Sequence, residues 1–224
     1  MATKEIENIQ AKVGEGIYSK RDVADILHLP YHKVSRWMND FWSDYTFGNA
    51  ENKLINFKTL IEFYTFYHLR ENGFSSQHTK AIHASIAKDL NTPYPFATKI
   101  HFINSENLKS KKYVYYEVGD HIIKSDGKKQ FDLKPFLIPF LNKIEFNNDE
   151  IPIVDKFYPL ENSKRIVVDP KLQFGKPTIT GTGIKAEVIN GFYEGGESKE
   201  SICKIYNLHI QQVEDAILYF KQTA

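Results

Sequence analysis

The stretch Val168-Asp-Pro-Lys-Leu-Gln-Phe-Gly-Lys-Pro-Thr-Ile-Thr-Gly-Thr-Gly-Ile184 organises the last part of this chain. Two glycines and a threonine stand immediately before an apolar-periodic segment, a pattern that is typical of a tight turn leading into a helix N-terminus. The sequence therefore predicts a structural turn, formed by Gly175, Pro177, Gly181, Thr182 and Gly183.

Three short helices are predicted after this turn. The first runs to about Glu194 and ends at Gly195-Gly196, and Ser198 caps the second. Their apolar positions at helical spacing are Ile184, Val188 and Ile189 in the first, Ile202 and Ile205 in the second, and Val213, Ala216, Ile217 and Phe220 in the third. The short turn Asn207-Leu208-His209 between the last two indicates a helix-turn-helix unit.

The same residues carry a family resemblance. The motifs, in chain order, are Asp169-Pro170, Gly175-Lys176-Pro177-x-Ile179-x-Gly181-Thr182-x-Ile184, Gly195-Gly196-Glu197-Ser198, Tyr206-x-Leu208 and Val213-x-x-Ala216-Ile217. This order resembles a small helix-turn-helix domain of bacteria and archaea that was long catalogued as a domain of unknown function and is now associated with VapB-type antitoxins. The resemblance covers residues 164–224, and the family commonly has Arg where this chain has Gly183.

A second helix-turn-helix is predicted near the start of the chain. Ser19 and Asp22 are spaced for a capping box at a helix N-terminus, and Leu29-Pro30 ends that helix. A further helix follows from Tyr31 to Met38. The positions expected to be buried are Val23, Ile26 and Leu27 in the first helix and Val34, Trp37 and Met38 in the second.

The next residues predict a wing and two longer helices. A turn over residues 47–53 leads into a short strand at 54–57. Helices follow over residues 57–69 and 74–90. The stretch 18–90 resembles the winged-helix domain of MerR-type regulators, in which the wing strand is likewise followed by a Phe-x-x-Leu helix and then by a break of the form x-x-Gly-x-Ser.

The predicted fold class is mainly α with a small β portion. The domain prediction has four parts: a flexible lead at 1–16, a MerR-like winged-helix DNA-binding domain at 17–92, a β-containing middle segment at 93–163 and a C-terminal helix-turn-helix antitoxin-like domain at 164–224. For the middle segment we predict short strands at 99–103, 113–118 and 121–124, a hairpin turn at Ser125-Asp126-Gly127, and a short helix or extended segment over 131–146.

The outward residues of the first helix-turn-helix suit double-stranded DNA. A recognition helix places its N-terminal residues on base edges in the major groove, while the preceding helix contacts the backbone. The predicted DNA-binding residues are Ser19, Lys20 and Arg21 for phosphate, Tyr31, His32, Lys33, Ser35 and Arg36 for the groove, and Lys53 on the wing for a flanking phosphate. Arg36 is the best candidate for a bidentate contact to guanine. The alternative is an ordinary solvated polar face on a small helical bundle.

The last helix favours a different interpretation. Its outward residues are Gln211, Gln212, Glu214 and Asp215. The two carboxylates repel DNA phosphate, although the glutamines are suited to adenine. We therefore expect the C-terminal unit to serve mainly as a dimerisation or partner-binding surface.

Composition limits the other classes of function. The 29 Lys and Arg against 28 Asp and Glu leave a net charge of +1, so any DNA contact must come from a local patch. The eight histidines, the single Cys203 and the unclustered acidic residues lack the spacing of a metal site or a catalytic site, so we expect neither a metal nor an enzyme.

Two further absences are expected from the sequence. Gly181-Thr182-Gly183 fits a loose dinucleotide fingerprint, but no second buried strand follows, so a plain turn without a cofactor is favoured. With no long apolar run and no leader pattern at the N-terminus, we expect no membrane partner and a cytoplasmic location.

Together the two resemblances imply a DNA-binding antitoxin of a type II toxin-antitoxin system that represses its own promoter. The family pattern further implies a PIN-like ribonuclease toxin as partner, neutralised by direct binding. A homodimer is expected, because it would present two recognition helices to half-sites about one helical turn, or a multiple of it, apart. The alternatives are a protein-interaction module without DNA binding and a solitary transcriptional regulator.

Overall fold

The computed structural model describes residues 12–49, 51–71, 74–99, 142–149 and 152–222, together with the backbone of three short strands between residues 102 and 124. Its helices are α1 Lys20–Leu27, α2 Tyr31–Asp40, α3 Phe57–Glu71, α4 Ser76–Asp89, α5 Ala186–Glu194, α6 Lys199–Tyr206 and α7 Ile210–Gln222. The prediction of a mainly α fold with a small β portion is confirmed, because the strands are short.

The strands form four small sheets in the described part of the chain. In chain order they are β1 Tyr18–Ser19, β2 Phe47–Gly48, β3 Lys53–Ile55, β4 Phe102–Ile103, β5 Tyr113–Val118, β6 His121–Lys124, β7 Ile144–Phe146, β8 Val154–Phe157, β9 Ile166–Val167 and β10 Thr178–Ile179. The sheets have the orders β1-β3-β2, β4-β5-β6, β7-β8 and β10-β9.

The chain divides into two compact units. The first contains the described residues up to Phe57 together with those from Lys156 onward, and the second is Lys58–Asp155. The predicted domain boundaries at 16/17, 92/93 and 163/164 stay predictions. The division nevertheless establishes that the N-terminal helix-turn-helix packs with the C-terminal segment.

The first helix of this unit begins where the sequence supplies both halves of a capping box. The Ser19 hydroxyl accepts from the Asp22 backbone N–H at 3.2 Å, and the Asp22 carboxylate accepts from the Ser19 N–H at 2.9 Å. The helix ends at His28, which has φ 52°, and the Leu29 N–H returns to the Ala24 carbonyl at 2.9 Å. The predicted stripe of Val23, Ile26 and Leu27 is buried.

The second helix follows as predicted, and the wing strand is shorter than predicted, because β3 ends at Ile55 and Phe57 already begins α3. α2 starts after Pro30, and Val34, Trp37 and Met38 are buried. β3 pairs antiparallel with β1 on one side and with β2 on the other, which places Phe47 opposite Leu54. The β2–β3 hairpin is therefore a short wing next to the helix-turn-helix.

The C-terminal segment builds its own core around the β9–β10 hairpin, in which Ile179 lies opposite Ile166. Helices α5, α6 and α7 pack around a cluster that consists of Leu160, Ile166, Ile179, Ala186, Ile189, Ile202, Leu208, Val213, Ala216, Ile217 and Tyr219. The three predicted helices are thus present, with Ser198 capping α6 through the Ser201 N–H at 3.1 Å.

Two apolar positions predicted for this core are wrong. Val188 is 37% exposed and Ile205 is 56% exposed. Successive residues of a helix point about 100° apart, so only Ile189 of the Val188-Ile189 pair reaches the core. In α6 the side chain that covers the turn after Ile202 is Tyr206, which packs against the cluster in place of Ile205.

The second unit contains most of α3 and all of α4. Glu62 is fully buried in it, and its Oε1 accepts from the backbone N–H groups of Phe96 and Ala97 at 2.8 and 3.1 Å. Its Oε2 lies 2.9 Å from Nε2 of His83. A buried carboxylate thus holds the 3₁₀ turn Pro95–Ala97.

The strands predicted at 113–118 and 121–124 match β5 and β6, and β4 covers only the last two residues of the strand predicted at 99–103. Residues 115–118 of β5 pair with β6, as in Val118 opposite His121. The predicted hairpin turn at Ser125-Asp126-Gly127 lies outside the described residues. Of the predicted segment 131–146, only residues 142–146 are described, and Ile144–Phe146 is extended.

Candidate nucleic-acid interface

The outward face of α2 carries most of the predicted groove residues. Tyr31 is 50% exposed, His32 and Arg36 are exposed, and Lys33 and Ser35 are half-buried. On the opposite face Trp37 and Met38 are anchored in the core. The structure therefore brings the five predicted groove residues onto one short helix, of which Tyr31 is the first residue.

Lys33 is held differently from Arg36. Its Nζ lies 5.8 Å from the centre of the Trp37 ring, one turn further along α2. A cation at this distance from the face of an indole ring is attracted by it. The Lys33 ammonium is therefore held near the Trp37 ring of the same helix.

The predicted phosphate residues surround the N-terminus of α1. The Ser19 hydroxyl is already part of the cap, because it donates to the Asp22 carboxylate at 2.8 Å while it accepts from the Asp22 N–H. Lys20 is half-buried. The side chain of Arg21 is 71% exposed and forms an ion pair of 3.0 Å with Asp25, one turn along the helix. A surface pair of this kind is weak and can exchange for a phosphate.

The wing places Lys53 at the start of β3, opposite Gly48 of β2. Gly48 has φ 92°, and a Cβ there would meet the Asn52 carbonyl, so the hairpin requires glycine at this position. The Asn49 side chain accepts from the Asn52 N–H at 2.7 Å and closes the turn. Lys53 itself is half-buried.

A loop of the C-terminal segment contacts α1 directly. Nζ of Lys176 lies 2.5 Å from Oδ1 of Asp22. Partial burial on its own raises the pKa of Asp22, but the hydrogen bonds from Lys176 and Ser19 outweigh it and hold the pKa below its ordinary value. Asp22 is therefore the point at which the cap of α1 meets the C-terminal segment.

The predicted turn residues form two separate turns. Gly175 has φ 82° and lies in the first, and the Pro177 carbonyl accepts from the Ala186 N–H at 2.9 Å. Gly181 and Gly183, with φ 80° and 70°, lie in the second, which Thr182 braces through its hydroxyl. The Ile179 N–H closes that turn on the Ile184 carbonyl at 2.8 Å, so it is a hairpin rather than a loop opening directly into α5.

The outward residues of α7 are engaged with the protein itself. Gln212 Oε1 accepts from the His209 N–H at 2.9 Å, Glu214 pairs with Lys199 at 2.9 Å, and Asp215 accepts from the Ser163 hydroxyl. Arg165 also donates to Asp215, at 3.1 Å. An open depression of about 420 Å³ lies beside them, lined by Asn162, Ser163, Lys164, Arg165, Thr180 and Gln212.

Sequence reasoning missed two features of this site. His28 adopts the left-handed conformation that ends α1, although the sequence offered only Leu29-Pro30 as the signal. Lys176 belongs to the motif that carries the family resemblance, but its contact with Asp22 does not follow from the sequence, because no local pattern predicts a partner 154 residues away. The motif Gly175-Lys176-Pro177 indicates only that this lysine stands in a turn, and it does not identify Asp22 as the partner.

The described residues also bear on metal sites and on membrane-spanning helices. Within the described ranges, no three His, Cys, Asp or Glu side chains converge as a metal site would require. Across those ranges, too, every helix is too short or too polar to cross a bilayer.

Comparisons with known proteins place the C-terminal segment. Residues 166–220 match the family described as "Protein of unknown function (DUF433)". The Uncharacterized protein Rv2308 of Mycobacterium tuberculosis (strain ATCC 25618 / H37Rv) is 36% identical over 73 residues, which are 33% of this chain and 28% of that relative. The aligned part therefore spans little more than a quarter of the relative's length.

The fold has a counterpart among solved structures. The X-ray crystal structure of Rv2018 from Mycobacterium tuberculosis superposes with a TM-score of 0.65 at 15% identity, over 89% of this chain and 96% of that one. Identity this low supports the fold alone. The family resemblance predicted for residues 164–224 is confirmed at the level of the matched family, whereas its VapB-type and MerR-type parts stay predictions. Residues 166–220 are thus similar to a family of unknown function, and most of the chain shares the fold of Rv2018.

Proposed function

We propose that this protein is a DNA-binding antitoxin that represses its own promoter. The observation that carries the proposal is the outward face of α2, where Tyr31, His32 and Arg36 are exposed while the other face is anchored in the core. The helix carries no carboxylate before its last residue, Asp40. A short, rigid and locally basic helix after a tight turn has the shape and charge that a major groove accepts.

The flanking elements fit the same use. Arg21 near the N-terminus of α1 and Lys53 on the wing are the residues proposed to contact phosphate on either side of the recognition helix. A homodimer would set two such helices about 34–36 Å apart, or a multiple of this, on one face of the duplex. The operator is accordingly proposed to be a palindrome with that spacing.

The proposed partner is a PIN-like ribonuclease toxin, which the protein neutralises by direct binding. The support is the resemblance of residues 164–224 to antitoxin domains together with the apolar side chains that this segment exposes. Val188, Phe192 and Ile205 are 37%, 39% and 56% exposed. Large apolar side chains at a surface are the usual anchors of protein interfaces.

Binding to DNA tests the first part of this proposal. A labelled fragment of the gene's own upstream region is titrated with the purified protein at about 50 mM and about 200 mM salt, against a scrambled fragment of the same length. We expect clear preference for the upstream fragment and a steep loss of affinity with salt. Equal affinity for both fragments would remove the repressor role.

A protein-interaction module without DNA binding is the second candidate, and the exposed apolar residues of α5 and α6 favour it. Co-expression with the product of the adjacent reading frame separates the two. A tight complex together with no DNA preference in either free or bound form supports the module. A complex whose formation changes the affinity for the upstream fragment supports the antitoxin.

A further inference from the structure

The loop of residues 172–176, hereafter the 172–176 loop, touches the start of α1 at three points. The Lys176 ammonium lies 2.5 Å from Oδ1 of Asp22. The Phe174 carbonyl accepts from the Ile17 backbone N–H at 3.0 Å. Gly175 lies directly against the Tyr18 ring, so that a Cβ at this glycine would overlap the Tyr18 hydroxyl. All three contacts reach residues within a few positions of the α1 cap.

The backbone of this loop is strained in a way that these contacts explain. Gln173 and Phe174 have φ 48° and 56°, values that are unfavourable for residues other than glycine. Burial of Phe174 does not account for the strain, because its side chain is 65% exposed. The conformation instead aims the Phe174 carbonyl at Ile17 and brings Gly175 against Tyr18.

Asp22 connects the loop to the cap of α1. Its Oδ2 accepts from the backbone N–H and the hydroxyl of Ser19, at 2.9 and 2.8 Å, and its Oδ1 receives Lys176. One carboxylate is therefore fixed from both sides. Since α1 packs against α2 and each helix has a buried face, with Val23 in α1 and Val34 in α2, the direction of α1 determines where the outward face of α2 points.

We infer that the 172–176 loop is a clamp that positions the first helix-turn-helix, and that Lys176 is the positioning residue through its contact with Asp22. The part of this inference that concerns DNA rests on the proposed function. The clamp assigns a role to the Gly175-Lys176-Pro177 motif, and it makes the placement of the recognition helix depend on residues more than a hundred positions away in the chain.

Hydrogen exchange of the full chain tests the clamp without any DNA. In Lys176→Met, backbone amides of residues 17–28 should exchange at least tenfold faster than in the wild type, with α7 unchanged. The matched control is Lys204→Met, which removes an exposed lysine of α6. Equal exchange at residues 17–28 in both variants overturns the clamp. If Lys176→Met does not fold, Asp22→Asn answers the same question, because it keeps an oxygen for the cap and removes the ion pair.

Binding to the upstream DNA fragment then separates positioning from direct contact. A positioning role predicts about tenfold weaker binding by Lys176→Met with an unchanged salt slope, whereas a phosphate contact by Lys176 predicts a slope lower by about one. The two explanations predict opposite changes in the DNA affinity of Asp22→Asn. A positioning role predicts weaker binding, and removal of a negative charge alone predicts tighter binding. A lower slope with Lys176→Met and tighter binding with Asp22→Asn overturn the positioning role. If the wild type binds no DNA, the proposed function fails, and hydrogen exchange alone decides the clamp.

Discussion

The two helix-turn-helix units of this protein, α1–α2 and α6–α7, follow the same backbone course. In each, a serine caps an eight-residue helix, which ends at a residue with φ 52°, His28 in the first and Asn207 in the second. The following leucine N–H then returns five residues, to Ala24 at 2.9 Å in one and to Cys203 at 3.0 Å in the other. The next helix begins two residues after that leucine in both units.

The side chains placed on this common course differ in charge and in burial. His32, Lys33, Ser35 and Arg36 of α2 correspond in position to Gln211, Gln212, Glu214 and Asp215 of α7. Arg36 is exposed, whereas Asp215 is held by Ser163 and Arg165. Ile26 of α1 is 2% exposed and its counterpart Ile205 of α6 is 56% exposed. Local backbone geometry thus specifies a helix-turn-helix, and the outward side chains specify what it can bind.

The largest expected difference between the two units is the cost of truncating these paired isoleucines. Ile26→Ala should lower the free energy of unfolding by about 2 to 5 kcal/mol, because it leaves a cavity in a packed core. Ile205→Ala should change it by less than about 0.5 kcal/mol, since the side chain is mostly in water. Chemical denaturation of both variants measures the pair. Equal costs would mean that Ile205 is covered in solution, and the concentration dependence of the midpoint would then identify an oligomer.

The next effect concerns the attachment of the first unit to the 172–176 loop. Gly175→Ala should cost about 2 to 4 kcal/mol, because the new methyl group meets Tyr18 and the residue has positive φ. Gly181→Ala, with nearly the same φ and open space around its Cβ, should cost about 1 kcal/mol. Thermal unfolding compares the two.

A second substitution checks the cause. In the described structure the buried Tyr18 hydroxyl has no hydrogen-bond partner, so Tyr18→Phe alone should be close to neutral. Combined with Gly175→Ala, it should recover part of the stability, because the hydroxyl is the atom nearest to the new methyl group. Additive costs in the double variant would show that the Tyr18 hydroxyl is not the source of the loss, which would then come from the ring carbons or from the positive φ.

A smaller and more specific effect is expected on DNA. Arg36→Ala should weaken binding to the upstream fragment by about 1 to 3 kcal/mol and relax the sequence preference at one position. At the corresponding place in the second unit, Asp215→Ala should leave DNA affinity unchanged, although it removes the contacts to Ser163 and Arg165. Fluorescence anisotropy on the upstream fragment gives both values. A loss of DNA affinity in Asp215→Ala but not in Arg36→Ala would exchange the roles of the two units.

The smallest expected effect is the response to acid. The pKa of Asp22 is lowered in the folded protein, so its contribution to stability is fully present above its ordinary value of 3.8 and is lost as the pH falls through the lower folded value. The corresponding residue of α6 is Ser201, which does not titrate. Amide protection followed between about pH 5 and about pH 3 should therefore decrease in α1 before it decreases in α6.

A second group, His68, titrates in a different pH range. Burial, with a further contribution from Lys143, lowers the pKa of His68 to about 4. Because the unfolded histidine binds its proton near pH 6.5, stability of the second unit should fall between about pH 6.5 and about pH 4. Asp22→Asn should abolish the loss in α1 below pH 3.8 and leave this earlier loss unchanged. If the loss in α1 persists in Asp22→Asn, the Asp22 carboxylate is not its source.

Much of the fold follows from local patterns in the sequence. The sequence predicts the capping box of Ser19 and Asp22, the cap at Ser198 and the wing turn at 47–53, since each depends on residues that are neighbours in the chain. The apolar pattern gave a wrong prediction where two neighbouring residues of a helix cannot both face the core, as with Val188 and Ile189. It also failed for the contact between Lys176 and Asp22, because residue type and spacing carry no information about a partner that only the tertiary fold brings near.

The candidate site likewise has features that the sequence predicts and features that only the structure reveals. The exposure of Tyr31, His32 and Arg36 could be derived from helical periodicity, since the buried positions Val34, Trp37 and Met38 leave only one face outward. The engagement of the Ser19 hydroxyl in its cap was implied by the capping box itself. The use of Asp215 in contacts with Ser163 and Arg165, in contrast, required coordinates, because these partners are about fifty residues away.

The meeting of Lys176 with Asp22 also has a consequence for protein synthesis. The lysine is added 154 residues after the aspartate, and ribosomes extend chains at about 5–20 residues per second, so roughly 8 to 30 s separate the two. During this interval the first helix-turn-helix is outside the ribosome without the segment that completes its unit. Newly made chains therefore pass through a period in which α1 lacks the contacts from the 172–176 loop, and chaperones and proteases can act on this segment before translation ends.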